Sequence, residues 1–264
     1  MKKFNKQGFT LSEVLITLGV IGIVAAMTMP TLLVQNRERE NSAKLKKIYS
    51  TMTQAYTRAV SEQGTPEFWD LIGANNQTGA DNLKKILSPY FTVKPDGISG
   101  KIWRNANTLQ LNNAAGPNIG AGEGNGYATF AVVDGMSIAF RVDNKDCKGV
   151  FGESKALKNV CATFIVDVNG SKHPNQFGFD IFQFYITKYG LQPYGSQADT
   201  TYPFETSCKL DGDGYGCAAW VVFRNNLDYR HCTDLSWNGK HKCKGLNDSC
   251  LLYTSPSPRD MRRS

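Results

Sequence analysis

A long uncharged stretch near the N-terminus constrains this chain most strongly. No residue between positions 14 and 33 carries a charge, and a helix of about 20 residues, rising about 1.5 Å per residue, spans a bilayer core of about 30 Å. The preceding residues 1–8 contain Lys2, Lys3 and Lys6 and no acid. Because a basic flank stays on the cytoplasmic side of a membrane, the sequence predicts one transmembrane helix with its leader inside the cell.

The small residue that could mark a cleavage site lies before the apolar stretch. A secretory signal would place it after a shorter apolar region, whereas Gly8 precedes the run. Cleavage after Gly8 would leave the helix on the mature protein and free an amine on Phe9.

One acid, Glu13, interrupts the apolar N-terminal segment. A carboxylate in a membrane helix costs on the order of 3 kcal/mol by insertion scales unless it has a partner. The amine of Phe9 would lie at i, i+4 spacing, one helical turn away, and in a stack of such helices the partner could be the amine of a neighbouring subunit. The alternative is a carboxylate near the membrane edge that is protonated or reaches toward water.

These features resemble the class III signal of type IV pilins and type II secretion pseudopilins. Gly8, Phe9, Thr10, Leu11 and Glu13 match the G-F-T-L-x-E signature of that family, and Pro30 matches its common proline. The resemblance covers roughly the first thirty to forty residues. It implies cleavage by a prepilin peptidase, N-methylation of Phe9 and an assembly role for Glu13.

The other end of the chain resembles a translated sequencing adapter. Residues 250–264 begin with the letters CLLYTSPSPRD, and we expect them not to be native. The formal net charge is +7, of which the leader contributes +3 and this tail +2. The remaining +2 argues against a nucleic-acid-binding surface.

Six cysteines remain once the tail is set aside, and an even number in an exported domain indicates disulfides. Because loop closure costs least for near neighbours in sequence, we predict that the pairs follow chain order. The predicted pairs are Cys147–Cys161, Cys208–Cys217 and Cys232–Cys243.

Helical signals dominate the first part of the chain. Residues 34–63 contain no Gly or Pro and place apolar side chains three and four positions apart, so we predict one helix over residues 11–63, ended by Gly64 and Pro66. A short helix is predicted at residues 81–87 and a surface loop at 105–126. The apolar series comprises Leu45, Ile48, Met52, Tyr56 and Ala59.

Strand signals dominate after residue 126. Residues 127–133 and 136–142 flank Asp134-Gly135, which predicts a hairpin with a two-residue turn at positive φ. Residues 161–167 and 179–187 indicate two more strands, whereas 218–223 fits either strand or helix. The predicted fold is α+β and pilin-like: a long N-terminal helix on an antiparallel sheet of about four strands, with a disulfide-stabilised C-terminal region.

Three groups of side chains are candidate metal sites. Asp167, Asn169 and Asp180 could bind calcium, as happens in some pseudopilins, but an Asx turn explains them better. Asp211 and Asp213 begin a calcium-like loop that lacks two EF-hand ligands, so a loop closed by the second cysteine pair is favoured. A zinc set would need His231, Cys232, His241 and Cys243, whose spacing departs from the usual motifs.

No catalytic motif is present: there is no G-x-S-x-G, H-E-x-x-H, Walker or dinucleotide-binding pattern. We therefore expect a non-enzymatic protein without a cofactor, calcium being the alternative. The predicted organisation is a leader at 1–8, an assembly helix at 9–33, a periplasmic or extracellular head at 34–249 and a non-native tail at 250–264.

The resemblance implies a structural subunit of a type II secretion or type IV pilus fibre, anchored in the bacterial inner membrane. Its expected partners are other pilin or pseudopilin subunits, prepilin peptidase, the inner-membrane assembly platform and membrane lipid. Two alternatives are a DNA-uptake pilin, which would need a basic stripe, and a monomeric membrane-anchored protein that binds a sugar or metal.

Overall fold

A computed structural model describes residues 10–94, 108–117, 119, 126–170 and 172–239. The chain forms two compact units, residues 1–40 and 41–264. Helix α1, Leu11–Gln63, begins in the first unit and ends in the second. Its bounds are those predicted from the sequence.

In the first unit, α1 exposes its apolar side chains on all sides. Leu15, Ile21 and Met27 are 61%, 63% and 74% exposed. Pro30 lies inside the helix without ending it, and Thr28 donates its hydroxyl to the carbonyl of Val24 at 2.9 Å. A helix that is apolar all round belongs in a membrane or in a protein core, and none of the described residues of the first unit is buried.

In the second unit, α1 buries one stripe. The predicted apolar series is confirmed, since Leu45, Ile48, Met52, Tyr56 and Ala59 are all buried. The helix ends at Gly64, whose φ of +78° any other residue would adopt only with strain. Helix α2, Gln77–Leu87, begins four residues before the predicted 81–87, because Asn76 caps it by accepting the Gly79 N–H at 3.1 Å.

The second unit also contains a five-stranded antiparallel sheet in the order β1-β2-β3-β4-β5. The strands are β1 (Tyr127–Ala131), β2 (Ser137–Val142), β3 (Val160–Asp167), β4 (Ile181–Thr187) and β5 (Gly190–Pro193). The four predicted strands are confirmed. The fifth strand follows β4 after a two-residue turn. It was not predicted from the sequence because Gly and Pro have low strand propensity.

The β1–β2 turn differs from the prediction. The N–H of Gly135 bonds to the carbonyl of Val132 at 2.9 Å, and the N–H of Val132 bonds to the carbonyl of Met136 at 3.0 Å. Gly135 has a φ of +85°, whereas Asp134 is not among the residues with positive φ. The connection is therefore a three-residue loop with glycine as its only left-handed residue, and the predicted two-residue turn was wrong because Val133 belongs to the loop.

An aromatic row joins the sheet to α1. Phe140 pairs with Phe164 and Phe164 with Phe184 across the middle strands. The rings of Phe164 and Phe184 stack at 4.7 Å, and Tyr49 of α1 stacks on Phe184 at 5.4 Å. Each such pair adds about 0.5–1.5 kcal/mol beyond the burial of its area, so this face forms the main core.

The opposite face of the sheet combines a polar network with smaller apolar clusters that include Ala139, Ile165 and Tyr185. Arg141 contacts the carboxylate of Asp143 at 2.8 Å, and Thr163 donates its hydroxyl to the same carboxylate at 2.6 Å. The hydroxyls of Thr163 and Tyr194 are 2.8 Å apart. Burial raises the pKa of Asp143, although Arg141 acts in the opposite direction.

Two further helices follow the sheet. They are α3 (Phe204–Ser207) and α4 (Ala218–Arg224), so the ambiguous segment 218–223 is helical. Phe204 of α3 stacks on Trp220 of α4 at 4.5 Å. The α+β, pilin-like fold predicted from the sequence is confirmed.

Candidate processing and assembly site

The N-terminus of α1 is closed by a reciprocal pair of side-chain bonds between Thr10 and Glu13. The Thr10 N–H bonds to Glu13 Oε2 at 2.9 Å, and the Thr10 hydroxyl bonds to the same oxygen at 2.7 Å. The Glu13 N–H in turn bonds to Thr10 Oγ1 at 3.3 Å. This is a capping box, which satisfies two backbone donors that a helix start would otherwise leave without a partner.

Glu13 is therefore a local acceptor as well as a charge. The box gives Thr10 a role that the family signature alone does not imply, although the T-x-x-E spacing is visible in the sequence. Gly8 and Phe9, the predicted processing residues, lie outside the described residues.

The helix that follows Glu13 can cross a membrane by length and composition. Its most apolar window has a mean hydropathy of 2.0 and no buried residue. Chemically, this segment offers van der Waals packing to lipid or to other helices, and one carboxylate at its end that could pair with a cation.

Two of the three predicted cysteine pairs are bonded in the structure. Cys147 bonds to Cys161, fourteen residues away, and Cys208 to Cys217, nine residues away. Cys232 is buried and disulfide-bonded. Its predicted partner Cys243 lies outside the described residues, so the third pair stays a prediction.

The first candidate calcium set forms a hydrogen-bonded turn. Asp167 Oδ1 accepts the N–H groups of Asn169 and Gly170 at 3.0 and 2.8 Å. Asp180 accepts the Asn175 N–H at 3.1 Å, the Gln176 N–H, and the Asn169 side-chain amide at 2.9 Å. These bonds give the carboxylates a structural role as caps of the segment between β3 and β4.

Both carboxylates of this turn titrate abnormally. Burial raises the pKa of Asp180 to about 6 despite its three donors. Burial and then the nearby Asp180 raise the pKa of Asp167 well above its usual range. The folded turn therefore binds protons more tightly than the unfolded chain does.

In the other two candidate metal sets, the described side chains already contact other groups. Asp213 accepts the N–H of Tyr215 at 2.9 Å and the hydroxyl of Ser207, inside the loop that the second disulfide closes. Asp211 is exposed and lies 3.6 Å from Lys209. The bonded Cys232 offers no thiolate to zinc, and His241 lies outside the described residues. Within the described part of the chain, no group of three or more His, Cys, Asp or Glu side chains could hold a metal ion.

Comparison with known proteins identifies one motif. Residues 3–29 match the model of the prokaryotic N-terminal methylation motif, which is consistent with the type IV pilin and pseudopilin family. No curated protein and no solved structure matches the chain. The motif supports a pilin-like precursor that is processed by prepilin peptidase, associates with other pilin subunits and has a structural role, and the apolar helix fits a membrane-anchored pilin.

Proposed function

We propose that this protein is a pseudopilin or minor pilin, a structural subunit of a type II secretion or type IV pilus fibre. The observation that carries the proposal is a single carboxylate, Glu13, at the start of an exposed apolar helix and within the residues 3–29 that match the methylation motif. The role is mechanical, and it needs no cofactor.

The apolar side chains in the first part of α1 are exposed to their surroundings. Side chains such as Leu15 and Ile21 are more than half exposed, and large exposed apolar surfaces mark membrane or protein interaction sites. Lipid covers this surface in the anchored precursor. In a fibre, the same surface packs against the helices of other subunits, where dispersion and close fit replace lipid contacts.

Glu13 supplies the direction of assembly. After cleavage, the amine of Phe9 would be a cation close to the carboxylates of its own and neighbouring helices. A carboxylate that is costly in lipid gains most where it meets that cation, so pairing favours the assembled over the dispersed state. The prepilin peptidase and an inner-membrane assembly platform are the partners that this sequence of steps requires.

The disulfides of the head favour an exported location. Two disulfides close short loops in it, and such bonds persist in oxidising compartments. With the basic leader inside the cell, the head would lie in the periplasm or on an extracellular fibre.

The test is crosslinking through the membrane helices of the full chain, co-expressed with a prepilin peptidase and an inner-membrane assembly platform. A photoreactive residue at Leu18, which is 60% exposed, should give a ladder of oligomers in otherwise wild-type protein. Glu13→Ala should still be inserted and cleaved but give monomers, whereas the neighbouring change Ser12→Ala should keep the ladder.

Two results would count against the proposal. Monomers from the wild-type chain would instead favour a solitary anchored binding protein. A normal ladder from Glu13→Ala would show that the charge pairing is not needed.

A further inference from the structure

Two segments of the head that each contain a disulfide carry opposite charge, and they are called the distal loop and the proximal loop. The distal loop, residues 145–161, contains four lysines against one aspartate and one glutamate, a net charge of +2. The proximal loop, residues 205–217, contains one lysine against one glutamate and two aspartates, a net charge of −2. Each loop contains one of the two described disulfides, which limits its conformational freedom and lowers the entropy lost on binding.

The two loops lie at opposite ends of the part of α1 that packs on the sheet. Cys217 of the proximal loop packs beside Gly178, where an added Cβ would meet its sulfur at 2.9 Å. The next residue, Phe179, accepts a hydrogen bond from Asn41 at 2.9 Å. The proximal loop is therefore near the beginning of this part of α1.

The distal loop is tied to a later turn of the same helix. Its Val160 pairs with Thr187 across β3 and β4, and the Thr187 carbonyl accepts the hydroxyl of Tyr56 at 2.9 Å. From Asn41 to Tyr56 the helix rises about 22 Å, at about 1.5 Å per residue.

Each loop also exposes an aliphatic side chain next to its charges. Val150 is 68% exposed and lies two residues from Lys148 in the distal loop. In the proximal loop, Leu210 is 48% exposed and precedes Asp211, whose side chain is 79% exposed and lies 3.6 Å from Lys209. An apolar anchor with a charged rim is the usual composition of a protein–protein contact.

The distal loop keeps cations that its own head does not neutralise. Lys158 pairs with Glu153 at 2.9 Å. In the described part of the chain, the other three lysines make no ion pair, and Lys155 lies over the ring of Tyr189 at 4.2 Å. An acidic surface on another molecule would therefore complement the charge of the distal loop.

We infer that the distal loop of one subunit docks on the proximal loop of a second copy of this chain. The contact is heterologous, since different patches meet, and a translation along the axis of α1 repeats it without closing a ring. It rests on the proposed fibre function and deepens it by naming where the heads touch.

Photocrosslinking of the full chain in membranes that contain a prepilin peptidase and an assembly platform tests this contact. A photoreactive residue at Val150 should give adducts of dimer size, and peptide mapping should place the second attachment within residues 205–217. The matched control is the same residue at Val133, which is 55% exposed and lies in neither loop. It should give no adduct to residues 205–217.

Charge reversal tests whether complementarity drives the contact. Lys148→Glu or Asp211→Lys alone should lower the yield of the Val150 adduct roughly three- to fivefold, and the combined variant should restore it, because an exposed ion pair is worth up to about 1 kcal/mol. The control variant Lys85→Glu, on the exposed side of α2, should leave the yield unchanged.

The outcomes separate this inference from the proposed function. A ladder through Leu18 without Val150 adducts to the proximal loop would overturn the docking contact and leave the fibre intact. Adducts that both single reversals leave unchanged would overturn the charge complementarity. Loss of the Leu18 ladder itself would overturn both.

Discussion

The two stretches of α1 contain similar apolar residues, but these residues are exposed in the first stretch and buried in the second. Residues such as Leu15 and Ile21 in the first unit are 61% and 63% exposed, whereas Leu45 and Met52 in the second are fully buried. The later stretch places apolar side chains three and four positions apart among polar and charged ones and has a sheet to cover its stripe, while the earlier one is apolar all round and has only Glu13 at its start. The later stretch of α1 thus packs in the core of the head, whereas the earlier stretch offers its apolar surface to other molecules.

The largest expected effect separates the stability of the two stretches. Phe164→Ala removes the centre of the aromatic row against α1 and should destabilise the head by about 3–5 kcal/mol. Ile21→Ala, in the uncovered stretch, should leave the head unchanged, because no packed core surrounds that residue. Denaturant unfolding of the full chain in detergent, followed by tryptophan fluorescence, measures both. Equal effects of the two changes would contradict the comparison.

Removing a disulfide should have the next largest effect, again confined to the head. The double variant Cys147→Ser/Cys161→Ser should lower the free energy of unfolding by roughly 2–4 kcal/mol, since it frees a closed loop in the unfolded chain. Cys250→Ser is the matched control and should change nothing. Non-reducing peptide mapping should recover Cys232 with Cys243, and a bridge to Cys250 would overturn both that pair and the interpretation of the tail.

The smallest of the stability effects depends on pH. The pKa of Asp180 is raised by burial to about 6, above an unfolded value of about 3.9. Asp180 therefore keeps its proton to higher pH in the folded state than in the unfolded chain. The stabilisation of the folded state by this proton is fully present below pH of about 4 and is lost as the pH rises through about 6. Asp180→Asn should reduce the fall in the free energy of unfolding across this window by about 3 kcal/mol at most, as denaturant unfolding across pH would show. An unchanged slope in Asp180→Asn would refute the assignment.

Local sequence signals were sufficient for the elements that local forces determine. The spacing of Leu45, Ile48 and Met52 predicted which face of α1 is buried, because a helix repeats every 3.6 residues whatever covers it. The T-x-x-E spacing that begins at Thr10 is also a local signal, because it places the two side chains that form the capping box one helical turn apart.

Signals that depend on distant contacts were insufficient. Gly190 and Pro193 conceal β5, which forms because β4 lies beside it. The segment 218–223 fits strand and helix equally by propensity, and stacking of Trp220 on Phe204 accompanies the helix. The Arg141–Asp143–Thr163 network joins neighbouring strands, so no single stretch of sequence predicts it.

Intact-mass analysis of the full chain extracted from membranes tests the central claim most directly. The expected mass is that of a protein that has lost residues 1–8 and carries one methyl group on Phe9. Gly8→Ala should be partly tolerated, whereas Gly8→Glu should block cleavage. A wild-type protein that retains its leader in the presence of a prepilin peptidase would contradict the account.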